Sequence, residues 1–323
     1  MKKVAVFTSG GDAPGMNACV RAAVRGAIYH GIEIYGIYRG YDGMIEGDIE
    51  KLESYSVSNI IQKGGTILKS ARSSEFRTPE GRKKAYEQIQ KHGIEGIIAI
   101  GGDGTFTGAN VFYEEFGIPT VGAPGTIDND LYGTDYTIGF DTAVNTALGA
   151  IDKIRDTADS HNRLFFIEVM GRDSGYIAIR SGIGGGAELV MVPETETSIA
   201  EVISTLQEGW NRKKTSSIVV VAEGDDAGNA MEIAEKVKKE IKQKDIKVSI
   251  LGHIQRGGTP TAQDRILASQ LGLAALEGLM NGQKNVMAGI VNNEIVYTPF
   301  ADCIGKTKDL NENLIRMVKI LSV

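Results

Sequence analysis

Short apolar runs alternate with helical periodicity through the first 140 residues, and this alternation narrows the fold more than any other feature. An extended run at 4–7 gives way to a Gly/Pro turn and then to residues 17–30, where Val20, Val24, Ala27 and Ile28 share one helical face. Extended runs recur at 34–37, 96–100 and 119–121, with the GGDGT turn and another helical segment after the run at 96–100. Strand, turn, helix and strand in repetition predict an α/β fold with a parallel sheet, whose ligands gather at the carboxyl ends of the strands.

A second unit with the same grammar starts near Gly139: a long helix through Arg155, a strand over 164–169, the glycine-dense SGIGGGAE and a strand over 218–222. Residues 231–243 predict an amphipathic helix with Ile233, Val237 and Ile241 inward, and with Glu232/Lys236 and Glu235/Lys239 as outward i,i+4 pairs. Two domains are expected for 323 residues, because single cores rarely grow past roughly 250 to 300. No run approaches the ~18 apolar residues of a membrane span. The opening MKKVAVFTSGGD is too short in apolar residues for a secretion signal and reads as a first strand, so a cytoplasmic protein is expected. Cys19 and Cys303 have the spacing of neither a disulfide framework nor a zinc site. A net charge of −6 argues against a nucleic-acid partner. Any phosphate must therefore be met by local positive sites.

Three glycine-rich turns follow predicted strands: SGGDAPGMN at 9–17, IGGDGTFTG at 100–108 and GAPGTIDND at 122–130. Glycines let backbone N–H groups converge on phosphate oxygens, and a helix N-terminus expected behind each turn adds free donors and a favourable dipole. Each turn alone also reads as a plain tight turn. None matches GxxxxGK[ST] or GxGxxG. Asp103, between glycines, suits a Mg²⁺ ligand shared with nucleotide phosphates or an N-cap for the helix that follows. Asp128 and Asp130 alternate around Asn129, so in an extended segment they point the same way, one able to hold metal while the other accepts a proton. Arg72, Arg163, Arg172 and Arg256 are each flanked by small residues or lie at a strand end, positions from which a guanidinium reaches a ligand or forms a surface ion pair.

GGDAPGMN, GGDGT, PGTIDND, EVMGR and LGHIQRGG, in that order over nearly the whole chain, make the sequence similar to the bacterial-type ATP-dependent 6-phosphofructokinases. PGTIDND and GHIQRGG are highly specific to that family; GGDG is shared with lipid kinases and NAD kinases. The resemblance implies two Rossmann-like three-layer α/β domains with mainly parallel sheets and the active site in the cleft between them. Residues 1–139 with 252–305 would form the larger, ATP-binding domain, and 140–251 with 306–323 the smaller, fructose 6-phosphate-binding domain. It implies that Gly11, Arg72, Ser73, Gly102, Gly104 and Thr105 bind ATP, with Asp103 on Mg²⁺. Asp128 would be the general base toward the sugar's 1-hydroxyl, with Thr126 and Asp130 supporting substrate and metal and Arg72 and Arg172 stabilising the transferred phosphoryl. Met170, Gly171, Arg172, Glu223, His253 and Arg256 would hold fructose 6-phosphate. Arg163 and Lys247 would reach it from a neighbouring subunit of a homotetramer.

The resemblance also implies an effector site, for a ligand such as ADP or phosphoenolpyruvate, at Arg21, Arg25, Arg155, Gly186, Glu188, Arg212 and Lys214; ordinary solvated charge is the other reading of these residues. Relatives that use pyrophosphate typically carry Asp at the position of Gly104 and Lys at that of Gly125, so glycine at both favours ATP. Three positions depart from the family's usual pattern: Asn59 where Asp is common, Lys247 where Arg is common and Ala123 in place of a larger aliphatic residue. Lys offers a point charge where Arg offers a two-pronged fork. The alternatives are a pyrophosphate-dependent enzyme of the same fold, a non-catalytic nucleotide sensor, which is expected to lose Asp128, Arg172 or Asp103, and an NAD kinase-like enzyme, which has no use for PGTIDND or GHIQRGG.

Overall fold

A computed structural model describes residues 1–212 and 216–321. In chain order its strands are β1 (Lys3–Thr8), β2 (Glu33–Ile37), β3 (Ile49–Leu52), β4 (Gly96–Gly101), β5 (Thr120–Pro124), β6 (Leu164–Val169), β7 (Leu189–Met191), β8 (Ser217–Ala222), β9 (Ile246–Ile250), β10 (Val286–Val291) and β11 (Glu294–Pro299). The chain divides into two compact units, the first made of residues 1–126, 131–142 and 256–308 and the second of 127–130, 143–255 and 309–323.

The first unit is built on a seven-stranded sheet in the order β11-β10-β5-β4-β1-β2-β3. Its five inner strands are parallel, and the two edges, β3 and β11, are antiparallel. Consecutive residues of β1 and β4 are buried whichever way they point, the mark of a parallel sheet covered on both faces. On one face Ala5, Phe7, Ile37, Ile97 and Ala99 join Met44, Ile89 and Phe112 in a core cluster. At the far edge β10 turns into β11 through Asn292 and Asn293 at φ 52° and 66°, the left-handed pair of a two-residue hairpin.

The second unit carries a four-stranded parallel sheet, β7-β8-β6-β9. Leu164, Phe166, Val219 and Val221 face a core that includes Val202, Leu206, Ile233 and Val237. The expected 231–243 helix runs Ala230–Glu240. Asn229 and Glu232 close a capping box at its start, so Glu232 serves the backbone, and Lys236 donates to the Ala227 carbonyl at 2.5 Å in place of the expected Glu232 pair. The chain leaves helical geometry at Ile241, at φ −108° and ψ 85°; Ile241 nevertheless stays buried against the same core. Among the described residues no helix is long and apolar enough to cross a membrane.

Candidate active site

In the first sheet β1 sits between β2 and β4, and β4 between β1 and β5. The connections leaving β1 and β4 therefore run to opposite sides, which makes the carboxyl ends of this pair the topological switch point, where open α/β sheets bind ligands. The loops there are tied by backbone. The Ser9 N–H donates to the Ile100 carbonyl at 3.0 Å, and that of Gly125 to the Gly101 carbonyl at 2.9 Å. A Cβ on Gly101 would lie 2.6 Å from the Ser9 carbonyl oxygen and 2.3 Å from Thr105 Oγ1, so only glycine permits the approach. At Gly104 a Cβ would meet nothing within 4 Å.

Two of the three turns run into helices as expected. The Met16–Tyr29 helix starts behind Gly15, itself left-handed at φ 111°, and the Asp103–Phe116 helix starts behind Gly102. The third does not: after Gly125 the chain returns through a bridge with Ile138, and the next helix opens only at Phe140. Thr137 Oγ1 donates to the Thr126 carbonyl at 2.7 Å across this excursion. The excursion leaves no room for the helix dipole expected behind Gly125.

Asp103 is the first helical residue and Gly102 the N-cap, so the N-cap reading of Asp103 gives way. Its Oδ1 accepts the Gly305 N–H at 2.7 Å. Tyr41, buried, donates its hydroxyl to the Thr105 carbonyl at 2.6 Å. Ser73 Oγ accepts the Phe76 N–H at 3.1 Å, and Arg72 beside it is exposed. Arg256 Nη1 lies 3.5 Å from the Asp12 carbonyl, and a Cβ on Gly11 would come within 2.5 Å of the same nitrogen. Gly11 thus makes room for that guanidinium.

In the second unit the loops leaving β6 and β8 are held by a carboxylate. Glu223 Oε1 accepts the N–H of Arg172 at 2.8 Å and that of Gly171 at 3.3 Å. Those bonds fix a costly backbone, with Gly171 at φ 149° and Arg172 at φ 52°, the second a left-handed arginine of the kind that persists where surroundings over-determine it. Arg172 Nε lies 3.8 Å from Asp128 Oδ2; Asp128 is almost fully buried and Arg172 mostly exposed. Ser174 Oγ donates to the Asp128 carbonyl at 3.2 Å. Nothing local to Ser174 signals this role beyond its closeness to Arg172 in the sequence.

The expected alternation of Asp128 and Asp130 does not hold. Asn129 is left-handed, at φ 54°, so the segment is not extended there; Asp128 is buried and Asp130 half-buried. Met170 is buried and His253 exposed. Arg163 and Lys247 share one carboxylate: Arg163 Nε lies 2.8 Å from Asp245 Oδ2 and Lys247 Nζ 2.9 Å from Oδ1. Hydrogen bonds from Lys247 first and Arg163 second hold the Asp245 carboxyl below its usual pKa.

Of the effector candidates, Arg21 and Arg25 lie in the first unit and Arg155, Gly186, Glu188 and Arg212 in the second, while Lys214 falls outside the described residues. Partial burial, and then repulsion from Arg25, lower the pKa of Arg21. Arg155 donates to the Gly186 carbonyl at 2.8 Å, and Glu188 Oε2 accepts the Ile218 N–H at 2.6 Å. Asn59 is left-handed at φ 56°, a region in which Asn is among the favoured residues.

The chain is similar to known proteins along its whole length. A family profile described as phosphofructokinase matches residues 3–279. The ATP-dependent 6-phosphofructokinase of Cytophaga hutchinsonii is 63% identical over 322 residues, covering 100% of this chain and 98% of that protein. ATP-dependent 6-phosphofructokinase 1 of Thermus thermophilus is 57% identical over the full length of both. Among solved structures, phosphofructokinase from Saccharomyces cerevisiae superposes with a TM-score of 0.89 at 34% identity, over 99% of this chain; the chain spans 46% of the yeast one. A pyrophosphate-dependent phosphofructokinase from Marinobacter aquaeolei, 22% identical and covering 100% of this chain and 92% of its own, shares the fold with a TM-score of 0.85. Glycine loops at a switch point, a buried aspartate beside a strained arginine and identity along the whole chain converge: this protein belongs to the phosphofructokinase family.

Proposed function

We propose that the protein transfers the γ-phosphoryl group of ATP to the 1-hydroxyl of fructose 6-phosphate. The observation that carries this reading is Asp128, a buried carboxylate 3.8 Å from the Arg172 guanidinium. As general base it takes the proton from the sugar's hydroxyl as that oxygen attacks phosphorus. The bond from phosphorus to the β,γ-bridging oxygen breaks, ADP leaves, and fructose 1,6-bisphosphate is formed. Positioning and charge neutralisation do most of the work in phosphoryl transfer, a role for Arg72 and Arg172.

ATP as donor is supported by the names of the relatives at 63% and 57% identity and by the open space at Gly104. Gly11, Ser73, Gly102, Gly104 and Thr105 would line the nucleotide. Thr126, Asp130, Met170, Gly171, Glu223, His253 and Arg256 would line the sugar phosphate. The donor set suits Mg²⁺. Among the described residues no group of three or more His, Cys, Asp or Glu side chains is arranged to hold a metal, and Mg²⁺ is commonly held by one or two carboxylates with substrate phosphates. Asp103 is the carboxylate that would hold it, and bound there the ion would neutralise phosphate charge.

In this reading the protein works in the cytoplasm as a homotetramer. Arg163 and Lys247 serve a neighbouring subunit's sugar phosphate, and ADP or phosphoenolpyruvate acts through Arg21, Arg25, Arg155, Gly186, Glu188, Arg212 and Lys214. Initial rates in fructose 6-phosphate with ATP and Mg²⁺, repeated with pyrophosphate as donor and with each effector added, test the whole reading. Turnover with ATP and none with pyrophosphate is expected; the reverse overturns the choice of donor.

A further inference from the structure

One carboxylate in the first unit binds no ligand in this reading, yet joins the segments that carry three of its site residues. Asp264 is fully buried, in the first turn of the Ala262–Met280 helix. Its partners belong to a different helix. Oδ1 accepts the Gly139 N–H at 2.9 Å, and Oδ2 accepts both the N–H and the hydroxyl of Thr142, at 2.8 and 2.5 Å, at the start of the Phe140–His161 helix. The favour is returned. The Thr142 hydroxyl oxygen accepts the Thr261 N–H at 3.1 Å, and Thr261 Oγ1, which caps Asp264's own helix, donates to Asp141 Oδ2 at 2.6 Å. Two helix N-termini are thus brought together, and because each carries partial positive charge their approach needs anions between them. Asp264 and Asp141 supply these.

A Cβ on Gly139 would lie 2.6 Å from Ala13 Cβ, and one on Gly15 would lie 3.6 Å from Asp264 Cβ and 2.8 Å from Ile138 Cγ2, so the loop after β1 is packed into the same junction. From it the chain runs back through Thr137 and Ile138 to Gly125 and Thr126, and from Thr261 back to Arg256. The nucleotide loop at 101–105 meets this path where the Gly125 N–H donates to the Gly101 carbonyl, and it has further support of its own from the Tyr41 hydroxyl on the Thr105 carbonyl.

We infer that Asp264 is a positioning residue: it locks the segments bearing Thr126 and Arg256 to each other, and so sets the affinity for the sugar phosphate without touching it. The inference rests on the reading of the site given above. Burial raises the Asp264 pKa, and the hydrogen bonds from Thr142 and Gly139 work against that rise. Asp264→Asn keeps the shape but offers an amide donor where Thr142 needs an acceptor.

The test is Asp264→Asn beside Thr142→Val, a milder change that removes only the hydroxyl and covers the case in which the first variant folds poorly. In steady-state assays Asp264→Asn is expected to raise the KM for fructose 6-phosphate about tenfold, as small misplacements of binding groups do, with a clearly smaller rise in the KM for ATP, whose loops touch the junction but are also held elsewhere. Thr142→Val gives a smaller rise in the same constant. In hydrogen–deuterium exchange without substrates, segments 137–142 and 256–261 lose protection together while 101–106 keeps it. Unchanged sugar KM in folded variants, or a uniform loss of protection along the chain, overturns the lock. Absence of turnover in the unmodified protein instead overturns the proposed activity, and the exchange pattern still decides whether the lock exists.

Discussion

The two units arrange their strand ends by different means. In the first, backbone meets backbone: Ser9 to Ile100, Gly125 to Gly101, with glycine wherever a side chain would intrude. In the second, side chains hold backbone: Glu223 fixes Gly171 and Arg172, and Glu194 accepts the Gly175 N–H at 2.8 Å. Partial burial raises the pKa of Glu194 despite that bond. A loop made of backbone contacts admits no added methyl group where two backbones meet, as at Gly101. One held by carboxylates can keep an arginine at φ 52° and still depends on one oxygen atom.

Side-chain chemistry in the second unit should be the most fragile. Asp128→Ser is expected to lower kcat by at least about two orders of magnitude, the usual contribution of a general base being roughly 10²- to 10⁴-fold, while calorimetric ATP binding stays close to that of the unmodified protein. Near-normal turnover would refute the assignment. Backbone geometry in the first unit comes next. Gly101→Ala should cost about 1–3 kcal/mol of stability through overpacking, read as a lower melting temperature. Gly104→Ala, with nothing near its new methyl, should keep or raise Tm yet raise the KM for ATP. If both glycines respond alike, the distinction between packing and ligand space fails.

The smallest effect concerns an ion pair in the first unit. Arg82 grips Glu115 with two hydrogen bonds, 2.7 and 2.6 Å, and reaches the carbonyls of Phe76 and Arg77 with its remaining nitrogen. The hydrogen bond to Arg82 holds the Glu115 carboxyl below its usual pKa. A carboxyl with a lower pKa folded than unfolded adds stability that is fully present above the unfolded value, about 4.3, and is lost as pH falls through the folded one. Melting temperatures of Glu115→Gln and the unmodified protein should therefore differ at pH 7 and converge toward pH 3. A constant gap means that packing, not charge, is what the pair supplies.

Much of this molecule was legible along the chain. The runs at 4–7, 34–37, 96–100, 164–169 and 218–222 lie in β1, β2, β4, β6 and β8, because apolar stretches punctuated by glycine are local signals. The run at 119–121 starts one residue before β5 and stops short of its end at Pro124. The strands β3, β7, β9, β10 and β11 went unread, although Asn292–Asn293 between two apolar runs is a hairpin signal. Thr261-x-x-Asp264 likewise carries a helix-start pattern, but the sequence does not show that the carboxylate serves another helix.

By itself the sequence determined the α/β class, the glycine loops and the family, since each is carried by residues near one another in the chain or by identity along it. Only the tertiary structure decided the strand order that makes β1 and β4 the switch point, the left-handed Asn129 that parts Asp128 from Asp130, Glu223 as the clamp on Arg172, and the junction at Asp264. The strand order, the clamp and the junction depend on hydrogen bonds between segments far apart in sequence, such as Asp264 to Gly139, where no local propensity names the partner.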